Sequence, residues 1–135
     1  DYAVSSGRCK RVTNNKIIIA IVDDDPRLLD SLENLFESAG YEVRSFLSGA
    51  ALIAAGLNEL NCVITDIGMP MMNGFDLRDA LKQERPEVPV FLVTGRHEIE
   101  DQQRAARDDI AGFFRKPFDG QALLTAVERA LFKSS

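Results

Sequence analysis

The stretch IIIAIVDDDP, residues 17–26, joins an apolar run to a group of acidic side chains. Residues 17–22 are continuously apolar and rich in β-branched side chains, which is typical of a strand buried on both faces of a parallel sheet. Three aspartates end the run, and Pro26 suits the first turn of a helix that Asp25 can cap. The stretch therefore predicts a buried strand, an acidic turn and a helix in direct succession.

The same alternation of strand and helix patterns continues along the chain. Short apolar or alternating runs predict four further strands, at residues 41–46, 62–65, 90–93 and 113–114. Helical spacing between capping and breaking residues predicts helices at 26–39, which Gly40 ends as a left-handed cap, and at 48–56, 74–85, 98–108 and 119–132. Strands and helices that alternate through short loops form a parallel sheet covered on both faces. The predicted class is doubly wound α/β.

The composition indicates one globular domain. The 135 residues are 45% hydrophobic and carry a net charge of -5, so the basic surface expected of a nucleic-acid-binding domain is missing. Residues 1–15 show no periodicity, and we expect a flexible tail or an expression remnant there, followed by one domain at 16–133. No apolar run approaches the ~20 residues of a membrane span. Because Cys9 and Cys62 match no metal-binding spacing, a reducing cytoplasm is expected.

Chemically distinctive side chains follow the predicted strands. Asp23 and Asp24 follow the first strand, Asp66 the third, Thr94 the fourth and Lys116 the fifth. The carboxyl ends of parallel strands meet at one edge of such a sheet, where ligands bind. Carboxylates held together repel one another unless a cation neutralises them, and Mg²⁺ prefers such oxygen ligands. The sequence therefore predicts a site for Mg²⁺, or for Mn²⁺, at this edge.

The remaining strand-end residues favour phosphoryl chemistry at this site. The hydroxyl group of Thr94 and the ammonium group of Lys116 supply a hydrogen-bond donor and a positive charge, as phosphoryl oxygens require during transfer. Asp66 stands alone after a central strand, and a carboxylate can act as a nucleophile to form an aspartyl phosphate. Asp66 is therefore the predicted nucleophile.

Four short motifs stand at the strand ends in a fixed order. They are Val22-Asp23-Asp24-Asp25, Thr65-Asp66-Ile67-Gly68-Met69-Pro70 with Asn73-Gly74, Thr94-Gly95, and Lys116-Pro117-Phe118. Together they resemble the receiver domain of two-component response regulators, over residues 16–133. The resemblance implies a five-stranded sheet in the flavodoxin-like order 2-1-3-4-5. It also implies that Asp24, Asp66 and the backbone carbonyl of Gly68 bind the metal directly, and Asp23 through water.

The resemblance further implies a signalling switch in the cytoplasm. Asp66 would accept a phosphoryl group from the phosphohistidine of a sensor histidine kinase or a phosphotransfer protein, and Lys116, followed by a cis peptide, would pair with that group. Thr94 would move towards it, and the ring of Phe113 would turn inward. The surface of the fourth helix, fifth strand and fifth helix would then change and bind a second receiver or another partner. Many such domains precede a C-terminal effector domain, and they phosphorylate and dephosphorylate themselves without being turnover enzymes.

Two other functions fit parts of the sequence. The acidic turn also resembles the start of haloacid-dehalogenase-type phosphatases, in which Asp23 would be the nucleophile, although Pro26-Arg27 and Thr94-Gly95 depart from that pattern. A pseudo-receiver that binds partners without being phosphorylated is the second alternative, although the complete set of site residues argues against it. The switch role of Phe113 competes with a plain core role, because a short strand buries its aromatic residues in either case.

Residues near the motifs have plainer interpretations. Met69, Met71 and Met72 fit loop packing better than a partner surface. His97 fits an exposed position near a helix start better than a phosphate carrier. Asp109-Ile110 stand where receivers often have Gly-Ala, so the fourth helix is expected to end without a left-handed glycine.

Overall fold

The computed structural model describes residues 16–68, 72–95, 103 and 110–132. The described strands are β1 (Ile18–Val22), β2 (Glu42–Phe46), β3 (Cys62–Asp66), β4 (Val90–Thr94) and β5 (Gly112–Arg115). The helices are α1 (Pro26–Ser38), α2 (Gly49–Ala55), α3 (Gly74–Glu84) and a C-terminal helix (Gly120–Leu131). The predicted tail at 1–15 and, apart from Gln103, the predicted helix at 98–108 lie outside the described residues. Within the described ranges, no helix combines the length and the apolar composition needed to cross a bilayer.

The five strands form one sheet in the order β2-β1-β3-β4-β5. Every neighbouring pair is parallel, which confirms the predicted fold class and strand order. The chain leaves β1 for β2 on one side and later returns to place β3 on the other side, so the direction of winding reverses between β1 and β3. Ligands of doubly wound folds bind beside that reversal, at the carboxyl ends of the strands.

Two hydrophobic clusters cover the two faces of the sheet. One contains Leu32 and Phe36 of α1 with Leu123 of the C-terminal helix, and the other contains Leu52 of α2 and Leu77 of α3. Successive strand residues enter opposite clusters because side chains alternate across a strand. All residues of β3 and β4 are buried, as expected for strands covered on both faces. The predicted cover of helices on both faces is confirmed.

Side-chain caps determine where the helices begin. Asp25, Ser48, Asn73 and Asp119 each accept a hydrogen bond from a backbone N–H group of the first helical turn. These N–H groups have no carbonyl partner inside the helix, so the caps stabilise the helix starts. Beyond the other end of α1, Gly40 has a φ of 101°, the left-handed conformation predicted for it.

The strand boundaries differ from the predicted ones at the site. Asp66 and Thr94 were expected to follow strands, but they are the last residues of β3 and β4. The reason is that the backbone ladder continues past the apolar runs: Asp66 still pairs with Val93, and Thr94 with Arg115. Cys62 is buried at the start of β3, and burial raises the pKa of its thiol.

Candidate acidic site at the carboxyl edge of the sheet

Three of the predicted site carboxylates meet at the carboxyl edge of the sheet. Asp23 and Asp24 follow β1, and Asp66 ends the neighbouring β3. One carboxylate oxygen from each of the three lies within 4.8 Å of the other two. Asp23 is 1% exposed and Asp66 is 6% exposed, whereas Asp24 is exposed. The edge therefore holds an acidic pocket with two buried carboxylates and a third at its rim.

Lys116 supplies a positive charge to this pocket. Its Nζ lies 2.7 Å from Oδ2 of Asp23 and 3.7 Å from Oδ1 of Asp66. The other oxygen of Asp23 accepts a hydrogen bond from the backbone N–H of Asp25 at 2.9 Å. The backbone N–H of Lys116 donates to the carbonyl of Thr94 at 2.7 Å, and the Lys116-Pro117 peptide is cis, as the resemblance implied. Both oxygens of Asp23 are therefore engaged in hydrogen bonds.

The pocket raises the pKa of both Asp66 and Lys116. Burial is the main cause at Asp66, and the negative charge of Asp23 adds to it, while the Lys116 ammonium and the backbone N–H of Gly68 act in the opposite direction. Partial burial opposes the charged form of Lys116, but its hydrogen bond to Asp23 and the surrounding negative charges outweigh that effect. The raised pKa of Asp66 therefore follows mainly from its burial, and that of Lys116 from the negative charges around it.

The donor atoms of the pocket fit a hard divalent cation. Asp23, Asp24 and Asp66 offer oxygen ligands that are close enough to share one ion, and Mg²⁺ binds oxygen ligands of this type. Among the described residues, one lysine faces the three carboxylates, so a further cation would relieve their mutual repulsion. These three residues could therefore hold a metal ion. The role of the Gly68 carbonyl remains a prediction, since the contact seen at Gly68 is made by its N–H group.

Thr94 and Phe113 lie on one face of the sheet, beside the pocket. Thr94 is fully buried at the end of β4, and Phe113 pairs with Leu92, two residues earlier on β4. Side chains two residues apart on a strand share a face, so Thr94, Leu92 and Phe113 point to the same side. Phe113 is half-buried against the cluster that contains Leu92. This position suits both a core residue and a moving ring, and the switch role of Phe113 remains a prediction.

The start of α3 is attached to the pocket by a connection that the sequence reasoning missed. Asn73 and Asp76 form a reciprocal capping box, with hydrogen bonds of 2.9 Å and 3.2 Å between side chain and backbone. The backbone N–H of Gly74 donates to the carbonyl of Ile67, next to Asp66, at 3.3 Å. The Asn-x-x-Asp spacing is a capping signal that could have located this helix start.

Other residues noted in the sequence stand apart from the pocket. The carboxylate of Asp25 caps α1 by accepting from the N–H of Arg27 at 3.0 Å. Met72 packs against the second core cluster beside Gly49 of α2, which supports its interpretation as a loop-packing residue. Other residues noted in the sequence lie outside the described residues: Met69, Met71, His97 and Asp109.

Comparisons with known proteins agree with this geometry. The sequence model of the response regulator receiver domain matches residues 19–128. Response regulator protein TmoT of Ectopseudomonas mendocina is 32% identical over 131 residues, which cover 96% of this chain and 59% of TmoT. A CheY-like receiver domain from Methanospirillum hungatei is 30% identical, with a TM-score of 0.80 and coverage of 86% of this chain and 94% of that one.

A third similar protein is the beryllofluoride-activated receiver domain of DrrB from Thermotoga maritima. It is 27% identical, with a TM-score of 0.79 and coverage of 86% of this chain and 97% of that domain. This chain spans 54% to 59% of the length of the relatives TodT and TmoT. The receiver model, in contrast, matches most of the chain, and its match includes Asp23, Asp66 and Lys116. The chain therefore belongs to the response regulator receiver domain family.

Proposed function

We propose that this domain is a phosphorylation switch in which Asp66 accepts a phosphoryl group from a phosphohistidine. The observation that carries the proposal is the position of Asp66, a buried carboxylate close to two others and 3.7 Å from the ammonium of Lys116. A carboxylate can attack phosphorus to form an aspartyl phosphate. The domain would catalyse its own phosphorylation and the later hydrolysis of its own aspartyl phosphate, and it would not be a turnover enzyme.

The transfer needs a nucleophile and compensation for negative charge. An oxygen of Asp66 attacks the phosphorus, a P–O bond forms as the P–N bond of the phosphohistidine breaks, and the departing imidazole nitrogen takes up a proton from solvent. The ammonium of Lys116 and the hydroxyl of Thr94 bind the phosphoryl oxygens, where charge accumulates. A bound Mg²⁺ or Mn²⁺, held by Asp23, Asp24, Asp66 and the carbonyl of Gly68, would neutralise further negative charge.

The related DrrB domain supports the same chemistry. Beryllofluoride resembles a phosphoryl group in shape and charge, and that domain is activated by it. The donor would be a sensor histidine kinase or a phosphotransfer protein in the cytoplasm. The output would be a change in the surface around β5 and the C-terminal helix, transmitted through Thr94 and Phe113 to a second receiver or to an effector domain.

The contacts of Asp23 favour Asp66 as the nucleophile. Oδ1 of Asp23 accepts from the N–H of Asp25, and Oδ2 accepts from Lys116. A nucleophilic oxygen must have a lone pair free to approach phosphorus. The two hydrogen bonds of Asp23 occupy its lone pairs more fully than the contact of Asp66 with Lys116, at 3.7 Å, occupies those of Asp66. The phosphatase alternative, which needs Asp23 as nucleophile, is therefore the weaker proposal.

The test is the intact mass of the protein after incubation with acetyl phosphate and Mg²⁺. The native chain is compared with Asp66→Asn, Asp23→Asn and the exposed control Asp30→Asn, each with and without EDTA. We expect one phosphoryl adduct on the native chain and on Asp30→Asn, lost in Asp66→Asn and in EDTA.

Two other outcomes would contradict the proposal in different ways. An adduct that persists in Asp66→Asn and disappears in Asp23→Asn would move the nucleophile to Asp23. No adduct on the native chain, together with no stable complex with beryllofluoride and Mg²⁺, would favour a pseudo-receiver.

A further inference from the structure

Three helices begin with a glycine directly after the capping residue, and one of these glycines differs from the others. The three are Gly49 of α2, Gly74 of α3 and Gly120 of the C-terminal helix. A β-carbon added at Gly74 would lie 2.8 Å from the backbone oxygen of Asp66 and 3.1 Å from Cα of Ile67, whereas ordinary van der Waals contact begins near 3.4 Å. Gly74 therefore allows α3 to touch the backbone of the candidate nucleophile.

The backbone that Gly74 touches has little room to retreat. The N–H of Ile67 donates to the carbonyl of Val93 at 2.9 Å, which ties this peptide to β4. The carbonyl of Asp66 accepts a hydrogen bond from the hydroxyl of Thr65 at 3.2 Å, and Ile67 is fully buried. A methyl group at position 74 would therefore push against a peptide that is already hydrogen-bonded to β4.

The helix side of this contact is equally constrained. The capping box between Asn73 and Asp76 fixes the first turn of α3, and Phe75 and Leu77 are buried in the core. The N–H of Gly74 also bonds to the carbonyl of Ile67, so the helix start and the strand end are directly joined. A side chain at 74 would have to displace one of the two, because close-packed interiors absorb little extra volume.

We propose that Gly74 is a positioning residue for phosphoryl transfer, because its missing side chain sets where the carboxylate of Asp66 lies. The inference rests on the proposed function. It also concerns the metal site. The hydrogen bond from Gly74 to Ile67 closes a loop that includes Gly68, whose carbonyl is a predicted metal ligand. Reacting groups must be held within about 0.5 Å of the productive geometry, and a misplacement of about 1 Å can cost roughly a hundredfold in rate.

Gly120 provides a matched control for the substitution. It occupies the same helical position as Gly74, but an added β-carbon would meet a side-chain methyl group of Leu35 at 3.1 Å rather than backbone. A flexible side chain can give way, and alanine has the higher helix propensity. Gly120→Ala should therefore leave both the stability and the site close to native.

The experiment compares the native chain with Gly74→Ala and Gly120→Ala. The phosphorylation rate with acetyl phosphate and Mg²⁺ is followed by intact mass, the folded fraction by circular dichroism and urea unfolding, and Mn²⁺ affinity by calorimetry. For Gly74→Ala we expect a roughly ten- to hundredfold lower rate per folded molecule, together with weaker Mn²⁺ binding. A purely structural role would lower the urea midpoint without changing these two properties of the folded molecules.

The outcomes separate this inference from the proposed function. Equal rates and equal Mn²⁺ affinities in Gly74→Ala and Gly120→Ala would overturn the role of Gly74 while leaving the proposed function intact. If the native chain takes no phosphoryl group, the proposed function fails and equal Mn²⁺ affinities again refute the positioning role. If Gly74→Ala does not fold, Asn73→Ala replaces it, because it removes the cap of the same helix start. Its control is Asp119→Ala, which removes the cap of the C-terminal helix. A lower phosphorylation rate and weaker Mn²⁺ binding are then expected in Asn73→Ala relative to Asp119→Ala.

Discussion

The ammonium of Lys116 lies 1 Å closer to Asp23 than to Asp66, at 2.7 Å against 3.7 Å. In this arrangement the lysine neutralises a metal-binding candidate more than the proposed nucleophile. A divalent cation bound at the same carboxylates would compete with the ammonium for Oδ2 of Asp23, because like charges repel. Lys116 would thereby be released from Asp23 and become available to the phosphoryl group on Asp66.

This competition predicts opposite effects of Lys116→Met on binding and on transfer. Removing the ammonium should tighten Mg²⁺ binding by roughly tenfold. Two unit charges about 4 Å apart near a protein surface interact by up to ~4 kcal/mol. Relief of about a third of that repulsion between Lys116 and the metal corresponds to a tenfold change in affinity. Phosphorylation by acetyl phosphate should become slower, because the phosphoryl oxygens lose their positive partner. Calorimetry and intact mass measure the two effects.

Lys16→Met is the matched control for this substitution. Lys16 is exposed and precedes β1, at the opposite end of that strand from Asp23. Its removal should change neither Mg²⁺ affinity nor the phosphorylation rate appreciably. Weaker Mg²⁺ binding in Lys116→Met would show that the lysine helps to form the metal site instead of competing for it.

Asp66 is predicted to lower the stability of the metal-free domain at neutral pH. Its pKa is raised in the folded state, chiefly by burial, so the folded protein binds a proton more readily there than the unfolded chain does. A raised pKa contributes stability that is fully present below the ordinary aspartate pKa and is lost as the pH rises through the folded-state value. Asp66→Asn, which resembles the protonated form, should therefore be the more stable protein at neutral pH.

Urea unfolding in EDTA at neutral and acidic pH measures this difference. The advantage of Asp66→Asn should shrink as the pH falls, and the exposed substitution Asp30→Asn serves as the control. Added Mg²⁺ should stabilise the native chain more than Asp66→Asn, because the variant lacks one carboxylate ligand. An advantage that grows towards acidic pH would contradict the raised pKa of Asp66.

The sequence could predict the sheet and the members of its site because both depend on local patterns. β3 and β4 are apolar runs, and the residues that end them point to a common edge whenever the strands are parallel. The ends of the strands were less predictable. Asp66 and Thr94 interrupt the apolar pattern while their backbones remain paired, and a pattern of side chains does not reveal a backbone ladder.

Contacts between distant segments could not be predicted in the same way. The guanidinium of Arg85 donates to the backbone carbonyls of Leu57, Asn58 and Leu60, but no local spacing marks an arginine for that role. The proposed role of Gly74 depends on the backbone of Asp66 and Ile67 lying against it. The closer pairing of Lys116 with Asp23 than with Asp66 is a difference of 1 Å between two N–O distances. Such features follow from tertiary packing.

The hydrogen bond between Tyr41 and Glu128 should stabilise the junction of β2 with the C-terminal helix. The phenol hydroxyl of the buried Tyr41 donates to Oε2 of Glu128 at 2.7 Å. A hydrogen bond to a charged group contributes roughly 1.5–3 kcal/mol, so Tyr41→Phe should cost about 1.5 kcal/mol in urea unfolding at neutral pH. Because Glu128→Gln keeps an oxygen acceptor, it should cost less.

The same pair predicts a pH dependence at alkaline pH. Burial, with the hydrogen bond to Glu128, raises the pKa of Tyr41 from 10.0 to about 12. The stability linked to this proton is present below pH 10 and is lost as the pH rises to about 12. The free-energy difference between the native chain and Tyr41→Phe should therefore shrink across that range, and a constant difference would show that the hydroxyl proton is not the source.

Phe113 can be turned into a reporter of the proposed switch, because the chain contains no tryptophan. Phe113 is half-buried on the same face as Thr94, so a ring that turns inward there would leave water. Phe113→Trp should show a blue shift of its emission when beryllofluoride and Mg²⁺ are added. The shift should disappear in Phe113→Trp combined with Asp66→Asn, and also when combined with Thr94→Ala.

Phe114→Trp distinguishes a moving ring at 113 from a general change in β5. Phe114 is also half-buried, but it packs with the cluster on the opposite face, 6.1 Å from the ring of Phe118. Its emission should change little when beryllofluoride binds. If Phe113→Trp shows no shift while beryllofluoride is bound, Phe113 is a plain core residue. Equal shifts at both positions would instead mean that β5 responds as a whole, and the signal would then not pass through one aromatic side chain.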